Sequence, residues 1–143
     1  MQAERMADLL GGPRQAVLSV SRSTKGPVAV PMSYHFSDGG FYLVTSPDSV
    51  HGRLMSRVGR ATMTVQFEAC DGRSVHQWYV MGEGPIRFTD LDPQPHVRTI
   101  LTKDRGADYV DEWAASRPPP NVRVAVLQPV RISGYEFQES LNR

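Results

Sequence analysis

Residues 41–67 read FYLVTSPDSVHGRLMSRVGRATMTVQF, and the reading of this stretch decides the fold. Residues 41–45 are rich in β-formers and follow the turn signal Ser37-Asp38-Gly39-Gly40, which predicts a strand. Ser46 reads as a helix N-cap, with Pro47 at the first helical position and Asp48 in the first turn. Val50, Leu54 and Val58 recur at helical spacing and give a short helix one apolar edge. Arg53, Arg57 and Arg60 recur at similar intervals, with His51 nearer the start, and Gly59 ends the helix. Residues 60–68 then alternate as a strand, with Ala61, Met63, Val65 and Phe67 on one face. A helix start offers unpaired amides and a positive dipole end, so beside basic side chains it can hold a phosphate. The other reading is a solvated basic helix whose start Asp48 already neutralises. Both stay open on these residues alone.

Outward from this stretch the pattern is mostly strands. Upstream, a short helix over residues 3–10 puts Met6, Leu9 and Leu10 inward and stops at Gly11-Gly12-Pro13. A strand over 15–21 follows, with Ala16, Leu18 and Val20 on one face, and then one over 28–36. Pro31 cannot donate to a sheet ladder, so it marks an edge, a bulge or a bend there. Downstream, Cys70-Asp71-Gly72-Arg73 predicts a hairpin into a strand over 75–81, kinked at Gly82-Glu83-Gly84-Pro85 before Ile86-Arg87-Phe88. Asp92-Pro93 caps a helix carrying Val97, Ile100 and Leu101. A second helical piece over 108–117 buries Val110, Trp113 and Ala114 and ends at Pro118-Pro119-Pro120. Val122, Val124 and Val126 alternate in a last long strand, interrupted by Pro129 and extended over 130–137. About six hairpin-joined strands with few helices predict a closed antiparallel barrel, a mainly β single domain over residues 1–143.

Composition narrows the function classes. A net charge of +1 lacks the strongly basic face of a nucleic-acid binder. Cys70 is the only cysteine, so disulfides within the chain and multi-cysteine metal sites are excluded. No run of about 18 apolar residues is present and the start of the sequence carries no signal-type core, so the expectation is a soluble cytoplasmic protein without membrane contact. His35, His51, His76 and His96 form no metal-binding spacing, and nucleophile-elbow, Walker and GxGxxG motifs are absent. Trp78 and Tyr79 are adjacent in a strand and face opposite sides, so at least one is exposed, or covered by another subunit or a ligand.

Three stretches together resemble the pyridoxamine 5'-phosphate oxidase-like family of flavin-binding split barrels. They are AVLSVSRSTKGPVAVPMSYHF, similar to that family's first hairpin, LVTSPDSVHGRLMSRVGRATMTV, similar to its strand–turn–helix–strand segment, and WYVMGEGPIRF. The resemblance covers residue 15 to about residue 90, and VRVAVLQPVRISGYEF fits the last barrel strand. It implies a six-stranded antiparallel split β-barrel with short flanking helices, forming a homodimer with cofactor sites at the interface. The implied cofactor is FMN or coenzyme F420. Ser49, His51 and Arg53 match the phosphate positions, Met32 and Ser33 match positions lining the ring, and Val44, Thr45 and Ser46 match the segment along the ribityl chain. Trp78 would reach the site from the partner subunit. His51 stands where lysine is usual, and Leu54 where asparagine is usual. The C-terminal extension of pyridoxal-phosphate-forming members has no counterpart here, so vitamin B6 oxidation is not the expected activity. The expectation is an oxidoreductase passing hydride between flavin or deazaflavin and a small organic substrate, with Tyr34, Tyr79 or His35 as possible proton donors. The alternative is a non-catalytic flavin- or haem-binding carrier or sensor.

Overall fold

The protein is described by a computed structural model covering residues 1–116 and 121–140, with the side chains of 113–116 left out. The expected burial of Trp113 and Ala114, and the proline stop at 118–120, lie outside what is described. Helix α1 (Ala3–Leu10) leads into strands β1 (Ala16–Val20), β2 (Val28–Met32), β3 (His35–Ser37) and β4 (Gly40–Thr45). Helix α2 (Val50–Val58) precedes β5 (Arg60–Cys70) and the long β6 (Ser74–Phe88). Helices α3 (Pro93–Arg105) and α4 (Ala107–Ser116) follow, then β7 (Arg123–Leu127) and β8 (Arg131–Ser140). The architecture is mainly β and antiparallel, as expected, but with eight strands among the described residues rather than six.

The two extra strands have identifiable causes. The stretch read as one strand over 28–36 is two, because the chain leaves β1 at Ser33-Tyr34 and pairs next with β4. Tyr34 turns fully into the core there and donates its hydroxyl to the carbonyl of Leu10 at 2.8 Å. Pro31 lies in β2, at one end of the strand order β2-β1-β5-β6-β7-β4-β3, the edge position where a residue without an N–H is tolerated. The last long strand is also two, β7 and β8, both on the same edge of β6.

The Gly82–Pro85 segment does not break β6, which runs through it unbroken. The irregularity sits on the partner instead. Phe88 opposes Ala125 and Glu83 opposes Arg131, so five steps along β6 match six along β7–β8. The extra residue is a bulge at Pro129, closed by Gln128 N–H to Pro85 O at 3.0 Å and Val130 N–H to Glu83 O at 2.9 Å. Gly84 permits this approach, since a Cβ there would sit 2.3 Å from the Gln128 carbonyl oxygen.

The core gathers the inward faces of β1, β4, β5 and β6 with Met6 and Leu10 of α1 and Leu54 and Met55 of α2. Ala16, Leu18 and Val20 are buried as expected, as are Ala61, Met63 and Val65, while Phe67 is half-buried. In β7 the expected alternation fails: Val124, Ala125, Val126 and Leu127 are all buried. Ala125 and Leu127 join the main core, and α3 packs against β7 as well as β3 and β4, so this strand is covered on both faces. Of the residues expected inward on α3, Ile100 is buried and Val97 and Leu101 are half-buried; Val110 of α4 is buried. Arg5 ties α1 to β8 by paired hydrogen bonds to Glu136, at 3.0 and 2.6 Å, and His76 adds a third at 2.8 Å. Those bonds, that from Arg5 first, hold the Glu136 carboxyl at about 2, below the usual carboxylate range.

Candidate functional site

The turn between β4 and α2 is built by two serines three residues apart. Both suit a cap, and the cap is Ser49 rather than the expected Ser46: its Oγ accepts from the Gly52 amide at 3.0 Å. Ser46 and Pro47 belong instead to a turn ahead of the helix. The Ser46 carbonyl accepts from the Ser49 amide at 3.3 Å and the Ser49 hydroxyl at 2.7 Å, while its Oγ accepts from the Asp48 amide at 3.2 Å. Gly52 decides the geometry, because a Cβ there would lie 2.2 Å from the Ser46 carbonyl oxygen and 2.8 Å from Ser49 Oγ. The later start also corrects the apolar edge. Leu54 is buried with Met55, whereas Val50 is 73% and Val58 38% exposed. Gly59 ends the helix with a left-handed φ of 71°.

Around this turn the chain assembles donors. Thr45, buried at the end of β4, shares a 2.7 Å hydrogen bond with His51 Nε2. Burial holds the His51 imidazole below its ordinary value, so it is a neutral hydrogen-bonding group at pH 7. Arg53 is exposed and donates Nε to the Asp48 carbonyl at 2.9 Å, which folds its guanidinium back toward the helix start. Asp48 enters through its backbone, and the cap position belongs to Ser49. The first-turn amides of Val50 and His51, which the Ser49 cap does not use, the imidazole and the guanidinium form a donor set of the kind a phosphate accepts from, and Gly52 keeps the turn tight. The Ser49 hydroxyl is already used on both sides, as donor to Ser46 and acceptor from Gly52.

Thr45, Ser46, Ser49, His51 and Arg53 are therefore brought together. Val44 is half-buried one position earlier in β4, paired with Val124. Met32 is buried at the end of β2, and Ser33 follows it, accepting from Gln15 Nε2 at 3.3 Å. Continuing the β3–β4 register would set Ser33 beside Val44, but the ladder stops at His35 and Tyr42. Trp78 lies in the core, 1% exposed, and the exposed member of the pair is Tyr79 at 45%.

Two clusters escaped the sequence reading. His35, Tyr42 and His96 stack within 18° of parallel, with His35 Nε2 and His96 Nδ1 2.9 Å apart. Burial first, then His96 and Lys103, pushes His35 down to about 4. Arg14 lies over Phe67 and Trp78. His96 is 61 positions from His35, and Phe67 and Trp78 are 53 and 64 from Arg14, so no local spacing could announce these pairings. Among the described residues no group of three or more histidine, cysteine or acidic side chains could hold a metal, and no helix is long and apolar enough to cross a membrane.

No family model matches this sequence, and no curated protein does. Solved structures match along nearly the whole chain. A conserved hypothetical protein from Mycobacterium tuberculosis superposes with a TM-score of 0.73 at 15% identity, over 95% of this chain and 85% of that one. A candidate pyridoxamine 5'-phosphate oxidase from Listeria innocua gives 0.67 at 11% identity, over 91% and 94%. The chain has the pyridoxamine 5'-phosphate oxidase-like fold. A FAD and heme binding protein from Mycobacterium smegmatis shares this split barrel, with a TM-score of 0.70 at 16% identity over 99% of this chain and 74% of that one. At these identities the likeness is one of pyridoxamine 5'-phosphate oxidase-like architecture, and the α2 turn is a feature of this chain's own residues.

Proposed function

We propose that this protein is a flavin-binding split barrel whose β4–α2 turn holds the cofactor phosphate. The observation that carries the reading is the convergence of first-turn amides, neutral His51 and Arg53 at one end of β4. Ser49 and Gly52 shape that turn, and Thr45 fixes the His51 ring. The cofactor is FMN or F420, with Val44, Thr45 and Ser46 beside its chain and Met32 and Ser33 toward its ring. A bound flavin supplies hydride chemistry, so the activity is hydride transfer to or from a small organic substrate. With histidine in place of a full cation, binding is held chiefly by Arg53 and the helix start. The working unit is a homodimer, since the outer face of β6 and β8 carries Tyr79, Met81, Tyr135 and Phe137, each at least 36% exposed.

A second reading, a carrier or sensor that binds flavin or haem without turnover, is favoured by one observation. Burial holds both titratable candidates away from proton exchange, lowering the His51 imidazole so that it is neutral at pH 7 and raising the Tyr34 phenol. Titrating the purified protein with FMN, F420, FAD and haem, followed by visible absorbance, separates the readings. Saturation by FMN or F420 at one per chain supports the cofactor assignment, and reoxidation of the reduced bound cofactor by a small organic acceptor then separates the oxidoreductase from a flavin carrier. Saturation by haem alone supports the carrier, and binding of none of the four overturns both.

A further inference from the structure

Among the described residues Arg14 is a cation without a counterion. It ends the Gly11–Gly12–Pro13 loop between α1 and β1, and its guanidinium carbon stands 4.4 Å from the centre of the Phe67 ring and 5.2 Å from that of Trp78. The Phe67 and Trp78 rings themselves stack at 6.1 Å. Two of the carboxylates near this cluster are already committed, while Glu68 lines the same groove as Phe67 and Trp78 without pairing to Arg14. Asp104 pairs with Lys103, and Glu136 accepts from Arg5 and His76, the latter packed edge-on to Phe67 at 5.5 Å. Lys103 contributes a second positive charge nearby. It donates to the carbonyls of Gly12 at 3.1 Å and Arg14 at 3.0 Å and so fixes the loop that carries Arg14.

Two buried donors lie in the same cluster with no acceptor. Arg14 Nε and Trp78 Nε1 are both inaccessible and unpartnered among the described residues, and Trp78 as a whole is 1% exposed. A buried unpaired donor costs about 1–3 kcal/mol, more when charged, so two side by side mark a place that an acceptor completes. Among the described residues the guanidinium packs on the two rings and on Gly12 with no partner for Nε, and a flexible side chain so held can swing aside from the Trp78 ring it covers. Gly12 makes room for it: a Cβ there would stand 2.0 Å from Arg14 Nη1.

We propose that Arg14 and the Trp78 indole N–H form a binding site for a small oxyanion, a carboxylate or a phosphate, beneath the α1–β1 loop. An oxyanion supplies the acceptor atoms that the two buried donors lack, and the planar guanidinium matches its geometry. The site uses none of the α2 turn and does not depend on the flavin reading.

The test uses Trp78 as its own reporter. With Trp113 replaced by Phe, Trp78 is the single emitter of the two tryptophans. Phosphate and acetate are titrated separately at constant ionic strength set with chloride, and emission is recorded. The expected result is a saturable change with one or both, the better probe identifying the source of the oxyanion. Arg14→Met, which keeps the stack and removes the charge, should weaken the response about tenfold or more. Gly12→Ala, which keeps the charge and displaces the guanidinium, should weaken it too, and decides the matter if Arg14→Met fails to fold. Absence of saturation with either probe, or an unchanged midpoint in both variants, overturns the proposal and leaves a water molecule as the acceptor.

Discussion

Gly52 and His35 show how single residues set the behaviour of the two neighbourhoods they occupy. In an ordinary helix Gly52→Ala would stabilise by about 1 kcal/mol. Here the new Cβ would meet the backbone oxygen of Ser46 at 2.2 Å, so the loop must give way. The expected net outcome is destabilisation by about 1–3 kcal/mol in urea denaturation, the range for overpacking, together with weaker cofactor binding. His35 acts through protonation. Its folded-state value of about 4 lies below that of an unfolded histidine, so the unfolded chain binds more protons between those limits. That contribution is complete above about pH 6.5 and is lost as pH falls toward 4. For a half-exposed ring screened by solvent it amounts to about 1–2 kcal/mol. His35→Phe keeps the stack on Tyr42 and removes the titration, so its stability should fall less than the wild type's between pH 7.5 and 4.5. Parallel losses would contradict this.

At the scale of elements, what the sequence made legible was whatever is written locally. Alternation announced β1 and β5, Gly59 announced the end of α2, and Asp92-Pro93 announced the start of α3. Strand partners and burial on a second face are not local. The pattern of β7 could not reveal that α3 covers its far side, and the glycines of β6 read as a break when they are the seat of a neighbour's bulge. The α2 cap was misplaced for a related reason: Ser46 and Ser49 carry equal local signals, and the contact of Gly52 with the Ser46 carbonyl chooses between them. The resemblance put Thr45, Ser49, His51 and Arg53 in one place, yet the Thr45–His51 bond and the Arg14 cluster depend on packing that no spacing displays. The bulge itself can be tested. Gly84→Ala sets a Cβ 2.3 Å from one backbone atom and 2.9 Å from another, neither able to move independently. It should cost about 1–3 kcal/mol, whereas Gly26→Ala, with nothing within 4 Å, should change stability by a few tenths at most in either direction. Equal effects would argue against the β6–β7–β8 arrangement.

At the scale of the molecule, the outer face of β6 and β8 presents a stacked Tyr79–Tyr135 pair at 5.8 Å, flanked by Met81 and Phe137. A lone subunit would leave that face wet, so sedimentation equilibrium at micromolar concentration should report a dimer, and Tyr79→Lys with Tyr135→Lys should shift it to monomer. A monomeric wild type would count against the assembly. The central claim, that the β4–α2 turn holds a cofactor phosphate, is tested most directly by comparing two arginines on one helix. Arg53 folds back to the start of α2, while Arg57 lies in its last turn. A charge-assisted contact is worth about 1.5–3 kcal/mol, so Arg53→Ala should weaken binding of FMN or F420 roughly tenfold to a hundredfold. Arg57→Ala should leave that affinity near wild type, and neither change should move the melting temperature of the cofactor-free protein appreciably, since both side chains are exposed. Equal losses from the two substitutions would reduce the turn to diffuse charge, and an Arg53→Ala protein that binds as tightly as the wild type would contradict the assignment outright.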